Sequence, residues 1–303
     1  MKDGRGSGLS QFPMKNRVLI AVNTYPGHAY CREDFVANLK KLTNPRCDVV
    51  IFYNGERNPW GFEDFKKVYY DPKPEERGID ILLAKNKMMR NYFLKRIEYG
   101  HIFLLESDNL PPVGTIDRFL EYDKDIMSAV YFIKGVDPQM IKIPRDVEFN
   151  IFDHQTGNAK NVIFKKGDPV LAILQKYIPS VWGYKDGKSS LWEFGDFLPQ
   201  RGPVRILSAG IGSVLVKRDV MRDVDFRLRD LTAERQQFTD FQFYWDAYLK
   251  GYEAYVDTDT IAEHYHIDWD SQNFRKWFKA DTLEGIPTPE KDKSPQEKVF
   301  VKV

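Results

Sequence analysis

Two carboxylates follow an apolar run near the middle of the chain. Residues Ile102–Leu105 are succeeded directly by Glu106, Ser107 and Asp108. A short apolar run closed by polar residues predicts a buried strand of a parallel sheet, and such sheets bind ligands beyond the carboxyl ends of their strands. Carboxylates two residues apart can both reach one Mg²⁺ or Mn²⁺, and an ion held in this way typically carries a phosphorylated substrate. The alternative is that both acids merely solubilise a strand end.

Length, charge and cysteine content restrict the class of protein. A chain of 303 residues suits one large α/β domain with insertions. Its 45 Lys and Arg residues against 44 Asp and Glu residues give a net charge of +1, which provides no broad field for steering nucleic acid. Cys31 and Cys47 cannot form a disulfide framework, so we expect free thiols in a reducing compartment.

Hydropathy gives no sign of a membrane segment or of a secretory signal. No run is apolar for long enough to cross a bilayer, and the N-terminal residues are polar and Gly-rich. We therefore expect a cytoplasmic protein without membrane insertion. We expect residues 1–14 to be a flexible leader and 15–280 to be the catalytic domain. Residues 134–201 are interpreted as an insertion, acceptor or lid region, and 281–303 as a charged tail.

The periodicity of apolar residues predicts the elements that must position the two acids. Residues 17–22 and 48–53 are predicted strands, and the helical spacing between them from 33 to 42 makes a β-α-β unit with a parallel pair. Further strands are predicted at 65–70, 126–133, within 204–216 and at 252–256, and further helices at 79–99, 115–122, 240–250 and 269–278. The predicted fold class is α/β, with a mostly parallel central sheet flanked by helices. The loop after the first strand lacks a Gly-x-Gly-x-x-Gly pattern, which argues against a dinucleotide site.

Polar groups occur in a fixed order along these elements: Thr24-Tyr25 after the first strand, Glu106-Ser107-Asp108 after the central strand, Thr239-Asp240 at a helix start, and His264 near the end. In this order they resemble the motifs of the GT-A-fold nucleotide-sugar glycosyltransferases, particularly the large family-2-like group. The resemblance spans about residues 17 to 266. Each motif alone is common, so the order of the motifs carries the resemblance.

The resemblance implies a nucleotide-binding side of the site. Thr24 and Tyr25 match the pair that touches the nucleotide, and Lys85-Asn86 looks like the counterpart of an Arg-Asn pair on the helix before the central strand. Asn54, after the second strand, and Ser107, between the two acids, are assigned to the same side.

The resemblance also implies the reacting groups. Glu106 and Asp108 stand where the family's Asp-x-Asp motif binds diphosphate through Mn²⁺ or Mg²⁺, and His264 matches a further metal ligand. Asp240 matches the catalytic base, which predicts inversion at the anomeric carbon. Four residues are assigned to the sugar and acceptor: Gly210, Gly212, Trp192 and Thr239.

Departures from the family pattern leave alternatives open. Glu106 is one methylene longer than the usual Asp, so it could contact ribose or water while Asp108 holds the metal. Thr239 replaces the family's Glu. Asp240 could simply favour the first turn of a helix through the helix dipole, and His264 could be a structural histidine. Similarly, Thr24 could be only a turn residue, and Lys85 one more solvated helix charge.

The implied activity is transfer of a sugar from a nucleoside-diphosphate sugar to a hydroxyl acceptor. The alternatives are a nucleotidyltransferase, whose usual Gly-rich and Lys/Arg-bearing first loop is missing here, and a catalytically inactive nucleotide- or sugar-binding module. A glycan, a protein side chain and a modified nucleobase all remain open as acceptors, and a base would have to be flipped into the site.

Overall fold

The computed structural model describes residues 17–55, 57, 59–76, 78–142, 147–152, 159–166, 169–185, 188–193, 196, 199–228, 239–265 and 300–301. The predicted leader at 1–14, the predicted helix at 269–278 and most of the predicted tail lie outside these residues. The chain divides into two compact units, and the first contains residues up to Phe132 together with those from Pro179 to Ile286.

The first unit contains a mixed set of strands and five helices among its described residues. Its strands are β1 (Val18–Thr24), β2 (Cys47–Asn54), β3 (Lys66–Tyr70), β4 (His101–Glu106), β5 (Asn109–Leu110), β6 (Ile126–Val130), β11 (Val181–Lys185), β12 (Lys188–Leu191), β13 (Pro203–Ile206), β14 (Ser208–Ala209), β15 (Ser213–Lys217), β16 (Ala254–Ile261) and β17 (Glu263–His264). Its α-helices are α1 (Arg32–Leu42), α2 (Gly78–Leu94), α3 (Thr115–Tyr122), α4 (Arg218–Asp223) and α5 (Thr239–Leu249), and a 3-10 helix (Pro26–Cys31) follows β1.

Eight strands form the central sheet in the order β13-β16-β6-β15-β4-β1-β2-β3. The pairs β1–β2, β1–β4, β2–β3 and β6–β16 are parallel, whereas β15 runs antiparallel between β4 and β6 and β13 is antiparallel to β16. The predicted α/β class with a mostly parallel sheet is therefore confirmed. The end of β1 lies beside the acid-bearing end of β4, because Asn23 of β1 is in register with Glu106 of β4.

Helices cover both faces of the sheet. Successive side chains of β4 point to opposite sides, so neighbouring residues of this strand pack against different helices. Leu104 belongs to the same buried cluster as Met89 and Phe93 of α2. Phe103, its neighbour along the strand, packs instead with Phe119 of α3, and their ring centroids are 6.5 Å apart. A strand buried on both faces must be apolar at every position, which accounts for the uninterrupted run that ends at Glu106.

The helix predicted at 79–99 is shorter in the structure, where α2 ends at Leu94. The Arg218 guanidinium reaches this end and donates hydrogen bonds to the carbonyl oxygens of Phe93 and Arg96. Since the last carbonyls of a helix have no intrahelical donor, this cation satisfies them and also favours the negative end of the helix dipole. The predicted boundary was wrong because the helix end is satisfied by Arg218, which lies 124 positions beyond Leu94 in the chain.

Two predicted strands have different bounds. The run 126–133 is interrupted at Tyr131, whose carbonyl accepts a hydrogen bond of 2.8 Å from the Ser180 backbone amide, so β6 ends at Val130. The strand predicted at 252–256 begins at residue 254 and continues to 261 as β16, with a register shift after Asp257.

The second unit consists of residues 133–178 and 287–303. Its strands are β7 (Phe132–Lys142, beginning one residue before the unit), β8 (Val147–Phe152), β9 (Ala159–Phe164), β10 (Pro169–Pro179, ending just beyond it) and β18 (Phe300–Val301). They make a three-stranded sheet in the order β18-β10-β7 and an antiparallel hairpin of β8 with β9. Within the described part of the chain, no helix is long and apolar enough to span a bilayer.

The two-sided burial of β4 predicts a strong dependence of stability on Phe103, which is fully buried. Replacement of Phe103 by Ala is expected to lower the free energy of unfolding by about 3–5 kcal/mol, because it removes apolar contacts and leaves a cavity. Ile97→Ala, at a side chain that is 77% exposed, serves as the control and is expected to change it by less than about 0.5 kcal/mol. Equal effects of the two substitutions in denaturant titrations would contradict the described packing.

Candidate functional site

The site forms where β1 and β4 end at the same edge of the sheet. The Ser107 amide donates a hydrogen bond of 3.2 Å to the Asn23 carbonyl, and the Ser107 hydroxyl donates one of 2.7 Å to Oγ1 of Thr24. Both Ser107 and Thr24 are almost completely buried. The chain after β4 is therefore fixed to the end of β1, which sets the directions in which Glu106 and Asp108 leave the strand.

Asp108 lies between two imidazoles. Its Oδ2 is 3.4 Å from Nε2 of His264 and 3.6 Å from Nε2 of His28. The three side chains are only 15%, 8% and 14% exposed for Asp108, His264 and His28 respectively. Burial alone would raise the pKa of Asp108, but the contacts with His264 and then His28 outweigh it and lower that pKa.

The other ring nitrogen of each histidine has a defined partner. Nδ1 of His264 is 3.0 Å from the Phe132 carbonyl oxygen, which can only accept, so Nδ1 carries a proton. Nδ1 of His28 is 2.7 Å from Oγ of Ser107, whose own proton goes to Thr24, so this Nδ1 also donates. Burial lowers the pKa of His28 despite the nearby Asp108 carboxylate, which favours the neutral imidazole.

A buried lysine joins the ends of β1 and β2. Nζ of Lys85, on α2, donates hydrogen bonds to the Thr24 carbonyl at 2.5 Å and to Oδ1 of Asn54 at 2.7 Å. Burial lowers the pKa of Lys85 to about 7, while the Glu106 carboxylate opposes that effect. The structure therefore rejects the alternative of a solvated helix charge for Lys85, which is 2% exposed.

Glu106 and Asp240 are two further carboxylates of the same cluster. Burial raises the pKa of Glu106 well above its usual value, and the charges of Asp108 and then Asp240 add to the effect. Burial also raises the pKa of Asp240, although hydrogen bonds from the Thr239 hydroxyl, at 3.0 Å, and from the Ile211 amide oppose it. Carboxylates that repel one another in a partly dry site hold protons or attract cations.

The glycine-rich segment after β14 approaches this cluster closely. The Gly212 carbonyl accepts a hydrogen bond of 2.9 Å from the Glu106 amide, and a Cβ on Gly212 would lie 2.5 Å from Nδ2 of Asn109. A Cβ on Gly210 would lie 1.7 Å from the Tyr131 hydroxyl. Both glycines are therefore required by the approach of side chains from this same chain.

The remaining predicted residues lie in three different environments. Tyr25 is 44% exposed and its ring packs on the His28 ring, with the centroids 4.3 Å apart. Asn86 is completely buried, and neither polar atom of its amide has a hydrogen-bond partner within the described residues. Trp192 is 8% exposed and lines a cavity of about 630 Å³ together with Arg205, Leu207 and Tyr248, among others. Asp108 is not among the residues that line this cavity.

Two residues of the cluster, His28 and Tyr131, were not predicted from the sequence. His28 lies in the 3-10 helix directly after the Thr24-Tyr25 pair, so its place in the first loop was an available signal. Tyr131 interrupts the run predicted as one strand, and its ring centroid lies 5.0 Å from that of His264. Its contacts with residues 180 and 264 are long-range, and the sequence pattern carries no sign of them.

The donors at this site meet the requirements of a divalent cation only in part. Among the described residues, no three or more His, Cys, Asp or Glu side chains are arranged to hold an ion by themselves. Asp108 and His264 nevertheless direct a carboxylate oxygen and a ring nitrogen toward each other, and such donors suit Mn²⁺ and, less well, Mg²⁺. Further ligands would have to come from substrate or water, as is usual for ions that bind with phosphates.

The raised pKa of Glu106 predicts a stability change with a definite sign. Above about pH 4.3 the unfolded chain ionises this group freely, whereas the folded protein must either keep the proton or bury a charge, so stability falls as the pH rises. Glu106→Gln is therefore expected to raise the melting temperature of the metal-free protein at pH 7. The gain should vanish below about pH 4, where both states are protonated. Thermal unfolding across this range measures it, and a loss of stability at pH 7 would contradict the assignment.

No family model and no curated protein matches the chain. Among others, it is similar to A197 from STIV, with a TM-score of 0.41 and 11% sequence identity, over 82% of this chain and 86% of that one. It is also similar to GalNAc-T7 with UDP, GalNAc and Mn²⁺, with a TM-score of 0.48 and 10% identity, over 83% of this chain and 44% of that one. For S. aureus TarS 1-349 the TM-score is 0.40 and the identity 13%, over 82% of this chain and 60% of that one. The chain thus spans less than two thirds of the last two. Because relatives this distant share no more than an arrangement of strands and helices, activity must be argued from this chain's own residues.

Proposed function

We propose that the chain is a metal-dependent glycosyltransferase that moves a sugar from a nucleoside-diphosphate sugar to a hydroxyl acceptor. The observation that carries the proposal is the buried cluster at the ends of β1 and β4, in which the Asp108 carboxylate oxygen lies within 3.6 Å of two imidazole nitrogens. Glu106 and Asp240 belong to the same electrostatic cluster. A diphosphate leaving group needs positive charge beside it, and a carboxylate oxygen with a ring nitrogen is a means of holding that charge as a metal ion.

Asp108 and His264 are the residues proposed to hold the divalent cation. When bound, the ion would neutralise the charge that develops on the diphosphate, an effect worth several kcal/mol in a site that excludes water. Hydrogen bonding of Nδ1 to the Phe132 carbonyl keeps Nε2 of His264 available as a ligand. Glu106 is proposed as a weaker contributor, because its burial and its repulsion by Asp108 favour a protonated acid.

The nucleotide is proposed to bind along the ends of β1, β2 and α2. Tyr25 offers an exposed ring for stacking a base, and Thr24 with Ser107 fixes the backbone beneath it. Asn54, Lys85 and Asn86 are assigned to this side as well. The amide of Asn86, buried without a hydrogen-bond partner among the described residues, supports a polar role for this helix face.

Asp240 is proposed as the base that accepts the proton of the attacking hydroxyl. A base works best when its pKa approaches the working pH, and burial raises the pKa of Asp240 in that direction. The Thr239 hydroxyl donates a hydrogen bond to it, and the Ile211 amide, between Gly210 and Gly212, donates another. Thr239, Gly210 and Gly212 are proposed to lie along the sugar and acceptor path with Trp192. The acceptor remains a choice among a glycan, a protein side chain and a modified nucleobase.

A cytoplasmic location is proposed alongside this activity. Cys31 and Cys47 are both free and buried, as expected for structural thiols in a reducing compartment.

The metal assignment predicts an order of effects for the two acids. Asp108→Ala is expected to lower kcat/KM by about 100- to 1,000-fold or more, because it removes the charge that holds the ion. Glu106→Ala should cost less, and Asp64→Ala, at a side chain 78% exposed, should be silent. Release of nucleoside diphosphate from a panel of nucleotide sugars, with and without Mn²⁺, measures this. A larger loss at Glu106 would overturn the assignment, and no metal-dependent turnover with any donor would overturn the proposed function.

The assignment of the base predicts both a rate and a stereochemical outcome. Asp240→Asn is expected to lower kcat by about 100- to 10,000-fold with little change in donor binding, since the amide cannot accept the proton. Asp246→Asn, on the same helix, is the matched control. Proton NMR of the first product formed should show inversion at the anomeric carbon. A retained configuration would exclude Asp240 as a base.

A further inference from the structure

We propose that the cavity beside Trp192 binds an uncharged oligosaccharide, and that it holds the part of the acceptor that lies beyond the reacting sugar. The inference rests on the proposed function, because it assigns one class of acceptor to that reaction. It can be tested separately, since oligosaccharide binding at this cavity requires neither donor nor metal.

The cavity has the size of a small-molecule site and lies within one compact unit. Its volume of about 630 Å³ falls in the usual range of ligand pockets. Three parts of the chain supply the wall: the sheet of β11 and β12 with Trp192 after it, the edge strand β13 with Leu207, and the end of α5 at Tyr248. The cavity is therefore built on regular elements, as a site of fixed shape requires.

The position of the cavity fits the far end of an acceptor. β13 is four strands from β4 in the central sheet, whereas β1 and β2, assigned to the nucleotide, lie on the other side of β4. Tyr248 is eight residues after Asp240 on α5, which is about 12 Å along the helix axis. Leu207 is four residues before Ile211, whose amide bonds Asp240, so at most about 14 Å of chain separates this wall from the proposed base. A ligand that reaches from the base to the cavity must be longer than a single sugar.

Two aromatic side chains provide apolar faces in the cavity. Trp192 is 8% exposed, and its indole lies against β11, where a Cβ on Gly183 would be 2.2 Å from Nε1. Tyr248 is 45% exposed and stacks on Trp245, with the ring centroids 5.6 Å apart. One ring is thus fixed in the wall and the other is open to solvent. Aromatic rings can pack on the C–H face of a sugar while its hydroxyl groups stay free for hydrogen bonds.

The polar groups of the wall favour hydroxyls over phosphates or acyl chains. Nη1 of Arg205 is 3.1 Å from Oε1 of Glu253, so its charge is already balanced, and the Asp196 carboxylate adds negative charge to the wall. Such a wall does not attract a phosphate backbone. Oγ of Ser190 is buried without a hydrogen-bond partner among the described residues, and an acyl chain could not supply one. An uncharged oligosaccharide satisfies both restrictions.

The test is a calorimetric titration of the protein, without donor or metal, with maltotriose, cellotriose and chitotriose, each compared with its monosaccharide. We expect at least one trisaccharide to bind at least about tenfold more tightly than its monosaccharide, because the cavity has contacts for more than one sugar. Tyr248→Ala should weaken that binding at least about fivefold, since it removes an aromatic face, whereas Tyr248→Phe keeps the ring and should bind nearly as the wild type does. Leu249→Ala, at the next position and 64% exposed, is the matched control and should have no effect.

A second variant changes the opposite wall without removing a side chain. Gly183→Ala places a methyl group where the Trp192 indole lies, so the indole must move and trisaccharide binding should weaken. Melting temperatures establish that each variant is folded, and Tyr248, being exposed, can be replaced whether or not the change at Gly183 is tolerated. Wild-type affinity in Tyr248→Ala would overturn the inference, as would a wild-type protein that binds none of the trisaccharides at about 10 mM. Binding of single-stranded oligothymidylate that is lost in Tyr248→Ala would also overturn it, in favour of a nucleic-acid acceptor.

The two proposals fail in different ways. Trisaccharide binding that depends on Tyr248, with no turnover of any nucleotide sugar, would overturn the proposed function and leave the oligosaccharide site standing. Sugar transfer that is equally efficient in the wild type and in Tyr248→Ala, with monosaccharide and trisaccharide acceptors alike, would overturn the oligosaccharide site and leave glycosyl transfer standing.

Discussion

The arrangement of the site depends on the burial of an ionised carboxylate at the end of a buried strand. Asp108 leaves β4 with little access to water, so its charge must be compensated by nearby groups. The compensation comes from His28 and His264, each of which uses its other ring nitrogen to bond an oxygen of the surrounding structure. A carboxylate oxygen beside ring nitrogens is also a set of donors that suits Mn²⁺, and the proposed chemistry depends on binding of such an ion.

The sheet brings these groups together from distant parts of the chain. Parallel pairing of β1 with β4 places Thr24 beside the segment that bears Ser107 and Asp108. Pairing of β17 with β5 brings His264 into register with Asn109, the residue after Asp108. Positions 28, 108 and 264 thus meet at one strand edge, where open α/β sheets bind their ligands.

The strand bearing the two acids, the neighbouring β-α-β unit and the α/β class could be predicted from the sequence, because uninterrupted apolar runs are required of strands buried on both faces. The end of α2 could not be predicted, since Arg218, which satisfies its carbonyls, belongs to another helix. His28 follows the Thr24-Tyr25 pair directly, but its contact with Ser107, 79 positions away, could not be predicted from the sequence. The burial of Lys85 likewise depends on two other strand ends, which helical periodicity does not reveal.

The most direct test of the account is a crystal structure of the protein grown with Mn²⁺ and a nucleoside diphosphate, with anomalous scattering recorded at the manganese edge. The account predicts an anomalous peak within about 2.3 Å of both the Asp108 carboxylate and Nε2 of His264, with diphosphate oxygens completing the ligands. A nucleotide bound at the end of β1 without any anomalous peak, or a peak remote from Asp108, would contradict it.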